Sequence, residues 1–280
     1  IRENDALESL METAAAARKT ASPVAWLGSA VAIKEPTSVR FGRQHGENVL
    51  LVGHREELVQ GIFASMTASL ALQAPGARFV LLDGTRADER DEDHWADRLA
   101  AALGDSFRLA GPREAAAAIE EVAAEVSARQ TEHAQDRPPI YVFAYNLPRF
   151  RDLRQSDDDF SFGGFGEDKP PSPAARFSSI LSDGPVVGVH TFAWCDSYNN
   201  VNRALDRRSM KEFELRIFFQ LNPTDSSQLV DSPGAAHLGT YRALFYDERD
   251  GLLEKFRPYA FPDGGWLERL KGRCEGIESG

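Results

Sequence analysis

Short, uninterrupted apolar runs alternate along this chain with longer stretches of helical periodicity. Asn48–Val52 (NVLLV), Arg78–Asp83 (RFVLLD), Ile140–Tyr145 (IYVFAY), Val186–Trp194 (VVGVHTFAW) and Leu215–Leu221 read as strands. Continuous apolar runs of this kind fit strands covered on both faces, as in parallel sheets. After Gly53, the residues Leu58, Ile62, Met66 and Leu70, flanked by Phe63 and Leu72, recur at helical spacing. Further helices are expected within 85–105 and over 114–130, 177–182, 202–211 and 226–231, with a short strand at Ser106–Leu109. The opening residues 6–20 are Ala-rich, with Leu7, Leu10 and Met11 on one helical face. The stretch VAWLGSAVAIKEPTSVRF, broken at Gly28 and Pro36, predicts short strands or a hairpin. Near the end, Arg242–Tyr246 and Leu252–Tyr259 form a predicted β-hairpin, and Trp266–Lys271 a closing helix. Strands alternating with helices predict an α/β fold, a mostly parallel sheet flanked by helices with a C-terminal β-hairpin. The expected organisation is an N-terminal helix and linker (1–22), one α/β domain (23–262), and a C-terminal helix and tail (263–280).

One segment breaks the pattern. Residues 151–173 (RDLRQSDDDFSFGGFGEDKPPSP) are acidic, rich in Gly and Pro and aperiodic, and are expected to form a long mobile loop. Over the whole chain, 42% hydrophobic and 27% charged residues in 280 describe an ordinary globular protein and exclude disorder throughout. No apolar run is long enough to span a bilayer, so no membrane contact is expected. The chain opens on Ile1 without a basic-then-apolar leader, and a piece of a longer protein is expected. A formal charge of −11 argues against a general binder of nucleic-acid backbone, which needs a concentrated basic face. Two cysteines, Cys195 and Cys274, give neither a disulfide framework nor a metal cluster, and a reducing, cytoplasmic setting follows. The six histidines show no metal-ligand spacing, so no metal is expected, and His190, inside a predicted strand, reads as a packed core residue. Cys195 lacks a His and a carboxylate placed to activate it, since Asp196 next to it on a strand points to the opposite face.

The order of motifs resembles the FtsK/SpoIIIE/HerA superfamily of P-loop motor ATPases, a group that includes the EccC-type secretion ATPases. The likeness runs from about Pro23 to Tyr246. Trp26 to Gly53 (WLGSAVAIKEPTSVRFGRQHGENVLLVG) stands where the family approaches its phosphate loop, and Gly188 to Tyr198 (GVHTFAWCDSY) is similar to its sensor strand. Arg216 to Tyr246 (RIFFQLNPTDSSQLVDSPGAAHLGTYRALFY) carries the most specific part, with Asp225, Ser226, Leu229, Asp231, Gly234, Ala235, Leu238 and Tyr246 in step. The resemblance implies a RecA-like sheet, and a parent protein that is an oligomeric DNA translocase, a segregation-type ATPase or a related pump.

The catalytic positions depart from that family. A working phosphate loop, G-x-x-x-x-G-K-[ST], wraps phosphates with backbone N–H groups, neutralises them with Lys and holds magnesium with Ser/Thr. Aligned from Gly53, this chain has Glu56 and Glu57 inside the loop, Leu58 for the second Gly, Val59 for the Lys and Gln60 for the Ser/Thr. Residues 43–75 contain no Lys, so no shift of alignment restores the motif. Two carboxylates where the helix begins also repel a triphosphate, at about 3 kcal/mol per like-charge pair ~5 Å apart for an effective dielectric near 20. Tyr145 and Asn146 stand where active members carry Asp-Glu, and neither supplies a carboxylate base or a strong hard-metal ligand. Asp196 occupies the sensor position usually held by Gln, Trp194 replaces a small residue, and Ser227 replaces the Arg of a DSR motif.

These departures predict a pseudo-ATPase with no catalytic residue of its own, to which ATP and magnesium do not bind tightly. Its expected role is structural, regulatory or partner-docking within a larger multi-domain ATPase. The alternatives are an active or nucleotide-binding motor that drives DNA translocation, and a protein-recognition module as in EccC-like relatives. Candidate partner contacts are Phe160, Phe162 and Phe165 in the acidic loop, with Asn199, Asn200 and Arg203 beyond the sensor strand. Arg149, Arg151 and Arg154 are the candidates for residual contacts to DNA, which is otherwise expected to bind weakly or through neighbouring domains. Other expected partners are further domains of the parent protein, further copies in a ring, and a protein partner.

Overall fold

The run Val49–Val52 forms β3 and is buried at every position, as are Ile140–Tyr145 (β6) and Val189–Cys195 (β7); Arg78–Asp83 (β4) is buried from its second residue on. These strands, with Leu215–Phe218 (β8) and Phe107–Ala110 (β5), pair in parallel in the order β8-β3-β7-β6-β4-β5. A second, antiparallel part extends from β8 through Ala243–Asp247 (β9), Leu252–Pro258 (β10), Val24–Ala30 (β1) and Thr37–Arg40 (β2), making one ten-stranded sheet. The computed structural model describes residues 4–12, 22–132, 136–154 and 170–278.

Alternation along each strand divides the core in two. Leu51, Phe143, Tyr145, Phe192 and Trp194 face Asp5–Glu12 (α1), Glu56–Gln73 (α2), Trp95–Leu103 (α3) and Gly264–Glu278 (α9). Leu50, Val52, Val142, Ala144 and Cys195 face Ala115–Thr131 (α4), Pro173–Asp183 (α5), Tyr198–Ala204 (α6) and Pro223–Val230 (α8). The two terminal helices join the first of these cores. Leu7 and Trp266 are fully buried there, and the Trp266 indole donates to Glu8 at 2.7 Å.

Helix α2 lies deepest and is buried around most of its circumference, as its apolar composition requires. Some of its polar groups are committed to β1. Ser65 Oγ donates to the Trp26 carbonyl at 2.7 Å, and Gln73 holds both backbone groups of Val24. Gly61 lets the chain after β10 cross the helix, because a Cβ there would stand 2.0 Å from the Tyr259 carbonyl oxygen. In an unobstructed helix Gly→Ala stabilises by about 1 kcal/mol. Gly61→Ala should instead destabilise by roughly 1–3 kcal/mol, since backbone must move. Chemical denaturation reads the sign, and a more stable variant would refute the close crossing.

Three elements differ from the sequence reading. The helix expected at 202–211 is two helices, α6 and Arg207–Lys211 (α7), because Ser197 and Asp206 each cap a new start by accepting from Asn200 N and Ser209 N. Strand β7 begins at Val189 rather than Val186, since Pro185–Val187 form a 3-10 turn closed by Gly188 at φ 77°. The fifth strand stops at Phe218, and α8 starts at Pro223 behind the Asn222 cap.

Candidate functional site at the carboxyl edge of the sheet

Strands β3, β7, β6 and β4 end side by side, and their carboxyl ends bring Gly53, Asp196, Tyr145, Asn146 and Asp83 to one edge. Between β3 and α2 lie Gly53, His54 and Arg55 alone. Gly53 takes φ 124° with its backbone N–H on the Cys195 carbonyl, and a Cβ there would come 3.0 Å from Phe219 Cβ. The helix then starts at once, so Glu56, Glu57, Leu58, Val59 and Gln60 lie within α2 rather than in a loop. Phosphate cradles present a run of loop N–H groups to their anion. Here the N–H groups of Leu58 and Val59 both bond the Arg55 carbonyl, at 3.1 and 3.0 Å. Glu56 and Glu57 are exposed on the first turn, where carboxylates favour the helix dipole, and Val59 is fully buried in the core.

Aromatic side chains occupy the volume beside this turn. Tyr145 is 2% exposed, with its ring 4.7 Å from Trp194 and 4.9 Å from Trp95, and Phe63 meets it edge-on at 6.4 Å. The Trp194 indole N–H donates to the Gly53 carbonyl at 3.0 Å, tying the ring to the strand-to-helix turn. The Tyr145 hydroxyl accepts from Gln60 Nε2 at 3.2 Å and donates to Glu56 Oε2 at 3.4 Å. Burial pushes the Tyr145 phenol well above its ordinary value, so it stays neutral. Gln60 and Tyr145, 85 residues apart in sequence, therefore bond each other.

The sequence reading missed the role of one carboxylate at this edge. Asp83 is 1% exposed and accepts from Thr85 N and Oγ1, at 3.0 and 2.5 Å. It also accepts from Arg90 Nη1 at 3.2 Å and from His94 Nε2 at 3.0 Å. His94 is the residue before α3, so the pair sets where Trp95 enters the aromatic cluster. A buried Asp followed by Thr, Arg and His within eleven residues was the available signal.

The remaining expected contacts scatter around the edge. Asn146 adopts left-handed backbone at φ 59° and leads into 3-10 turns at Leu147–Arg149 and Arg151–Leu153. Arg149 and Arg151 are exposed there, whereas Arg154 is partly buried and donates to the Pro148 carbonyl. Asp196 accepts from Ser197 Oγ at 3.0 Å and Asn200 Nδ2 at 2.6 Å, so Asn200 is folded back onto its own cap, while Asn199 and Arg203 face outward. Phe160, Phe162 and Phe165 lie outside the described residues. Cys195 is fully buried, and burial raises its thiol far above the reactive range. Among the described residues no three His, Cys, Asp or Glu side chains converge as a metal site.

No family model matches the chain, and no curated protein matches its sequence. Its architecture does match solved structures. TcpA, the conjugation coupling protein of pCW3 in a monomer form with ATPgS, aligns at TM-score 0.62 and 11% identity, over 91% of this chain and 72% of TcpA. Thermomonospora curvata EccC (ATPases 2 and 3), in complex with a signal sequence peptide, aligns at TM-score 0.64 and 14% identity, over 94% of this chain and 48% of that one. EssC (ATPases 2 and 3) from Geobacillus thermodenitrificans gives 0.61 and 12%, over 95% and 50%. The chain has the fold of FtsK-type P-loop ATPase domains. The chain spans about half the length of the EccC and EssC chains it matches. At 10–14% identity the likeness is one of fold, and the residues at the carboxyl edge must be judged on their own chemistry. No helix among the described residues is long and apolar enough to cross a membrane.

Proposed function

We propose that this FtsK-like domain does not hydrolyse ATP and serves a larger multi-domain ATPase as a structural, regulatory or partner-docking module. The observation that carries the reading is Tyr145, packed between Trp95 and Trp194 beside a three-residue turn where a nucleotide's phosphates would need space and N–H donors. With Val59 and Gln60 in the helix, no cation or hydroxyl reaches that place from the Lys and Ser/Thr positions. The proposed parent is a DNA translocase, a segregation ATPase or a related secretion pump, working in the cytoplasm and assembled with other domains or further copies. Arg149 and Arg151 are the proposed residual DNA contacts. A second reading, protein recognition, draws on the outward-facing Asn199 and Arg203 and on the EccC structure that holds a signal sequence peptide.

Titration calorimetry with ATP and magnesium should give no saturable heat, and the melting temperature should not move with nucleotide. A ligand that binds only the folded state at 100 times its Kd would add about 2.7 kcal/mol of stability, well within detection. A magnesium-dependent shift of that size would instead establish nucleotide binding, and ATP turnover by the purified domain an active ATPase.

A further inference from the structure

The opposite, amino-terminal edge of the parallel strands holds a cavity of about 440 Å³. Its walls come from the ends of several elements: Arg43 beyond β2, Ala74 and Pro75 beyond α2, Pro138 ahead of β6 and Gly188 ahead of β7. Its volume falls within the ~300–1,000 Å³ typical of small-molecule sites. The floor is aromatic. Tyr141 stacks on His190 with centroids 5.8 Å apart and planes at 22°, and Phe41 lies 5.0 Å from His190.

The polar groups are unevenly satisfied. His190 Nδ1 donates to the Glu47 carbonyl at 2.9 Å, and burial lowers its pKa to about 4, so it is neutral near pH 7. Arg137 lines the cavity but pairs with Glu125 and Glu132, at 3.0 and 2.5 Å. Arg43 is different: Nη2 donates to the Arg137 carbonyl at 2.9 Å, while Nη1 is buried without a hydrogen-bond partner among the described residues. Tyr141 is fully buried, and its hydroxyl also lacks a partner among them. Buried donors left unpaired cost roughly 1–3 kcal/mol each, and more when charged. Two such donors on one hollow, one of them cationic, call for a single anionic acceptor. A monoanion suits the site better than a phosphate dianion, because Asp136 also lines it and the rest of the lining is largely proline, alanine and aromatic.

We propose that this cavity binds a small carboxylic acid with an aromatic or branched apolar body. The carboxylate sits between Arg43 Nη1 and the Tyr141 hydroxyl, and the apolar part lies against Phe41 and the prolines. The site is separate from the nucleotide edge and stands whether or not that edge binds ATP.

The test titrates the full chain with benzoate, 3-phenylpropionate and 4-methylpentanoate, each beside its neutral amide, by ligand-observed NMR and calorimetry. At least one acid should bind saturably and at least ~10-fold more tightly than its amide, as expected for hydrogen bonds to a charged group. Arg43→Gln and Tyr141→Phe should each weaken that acid by ~10-fold or more. Tyr141→Phe removes an unpartnered hydroxyl, so its melting temperature should equal or exceed that of the parent, which separates loss of the site from loss of the fold. Equal binding of acid and amide, unchanged affinity in both variants, or no saturable binding of any of the three acids would overturn the proposal.

Discussion

Tyr145→Ala should lower the unfolding free energy by about 3–5 kcal/mol, the range for deleting a buried aromatic ring that its neighbours cannot follow inward. Trp95, Trp194 and Phe63 all face the vacated volume. Trp194 is held by its bond to the Gly53 carbonyl and cannot simply collapse into it. Tyr145→Phe keeps the ring and loses the bonds to Gln60 and Glu56, so its cost should be nearer 0.5–1.5 kcal/mol, that of a typical hydrogen bond (~1 kcal/mol). Urea denaturation of both variants separates packing from polar contributions. If the proposed function holds, the alanine variant should also show no ATP binding, because removing the ring supplies neither a phosphate-binding loop nor a cation. A cost below about 1 kcal/mol for the alanine variant would mean that this ring is not an anchor of the edge, and the main support for a non-hydrolysing domain would fall with it.

The sheet was legible because its central strands bury both faces. Runs such as Leu50–Val52 and Tyr141–Ala144 carry no solvent-facing alternation and so announce a parallel interior. Helix α2 was legible from Leu58, Ile62 and Met66, and so was its position directly after Gly53. The break between α6 and α7 was not seen, although Asp206, with Ser209 three residues later, carries the capping chemistry that causes it. At the candidate site, the residue types at the loop and strand ends could be read from order alone. Their mutual contacts could not. The contacts of Tyr145 with Gln60, Trp95 and Trp194 join segments far apart in sequence, and no local period encodes such meetings. The cavity at the other edge was hidden for the same reason, since Phe41, Tyr141 and His190 come from three separate elements.

Asp83→Ala should cost about 3–5 kcal/mol, as removal of one partner from a buried charged network usually does. The loss falls unequally on its partners. Arg90 is 38% exposed and keeps a bidentate bond to Asp97 at 2.8 Å, so water and that carboxylate soften its share. His94 is 4% exposed and would be left without its acceptor, as would the backbone N–H of Thr85. Asp83→Asn keeps the volume and one acceptor oxygen and should lose markedly less. Hydrogen exchange distinguishes a global from a local effect: protection should fall first in the opening turn of α3, where His94 fixes Trp95 against Tyr145. An alanine variant within 1 kcal/mol of the parent would show the network to be dispensable. The direction in which this carboxylate points matters for function. Asp83 is enclosed by Thr85, Arg90 and His94 of its own chain, and the neighbouring strand end offers a neutral phenol. Unlike the exposed Glu56 and Glu57 beside it, this carboxylate is directed into the fold.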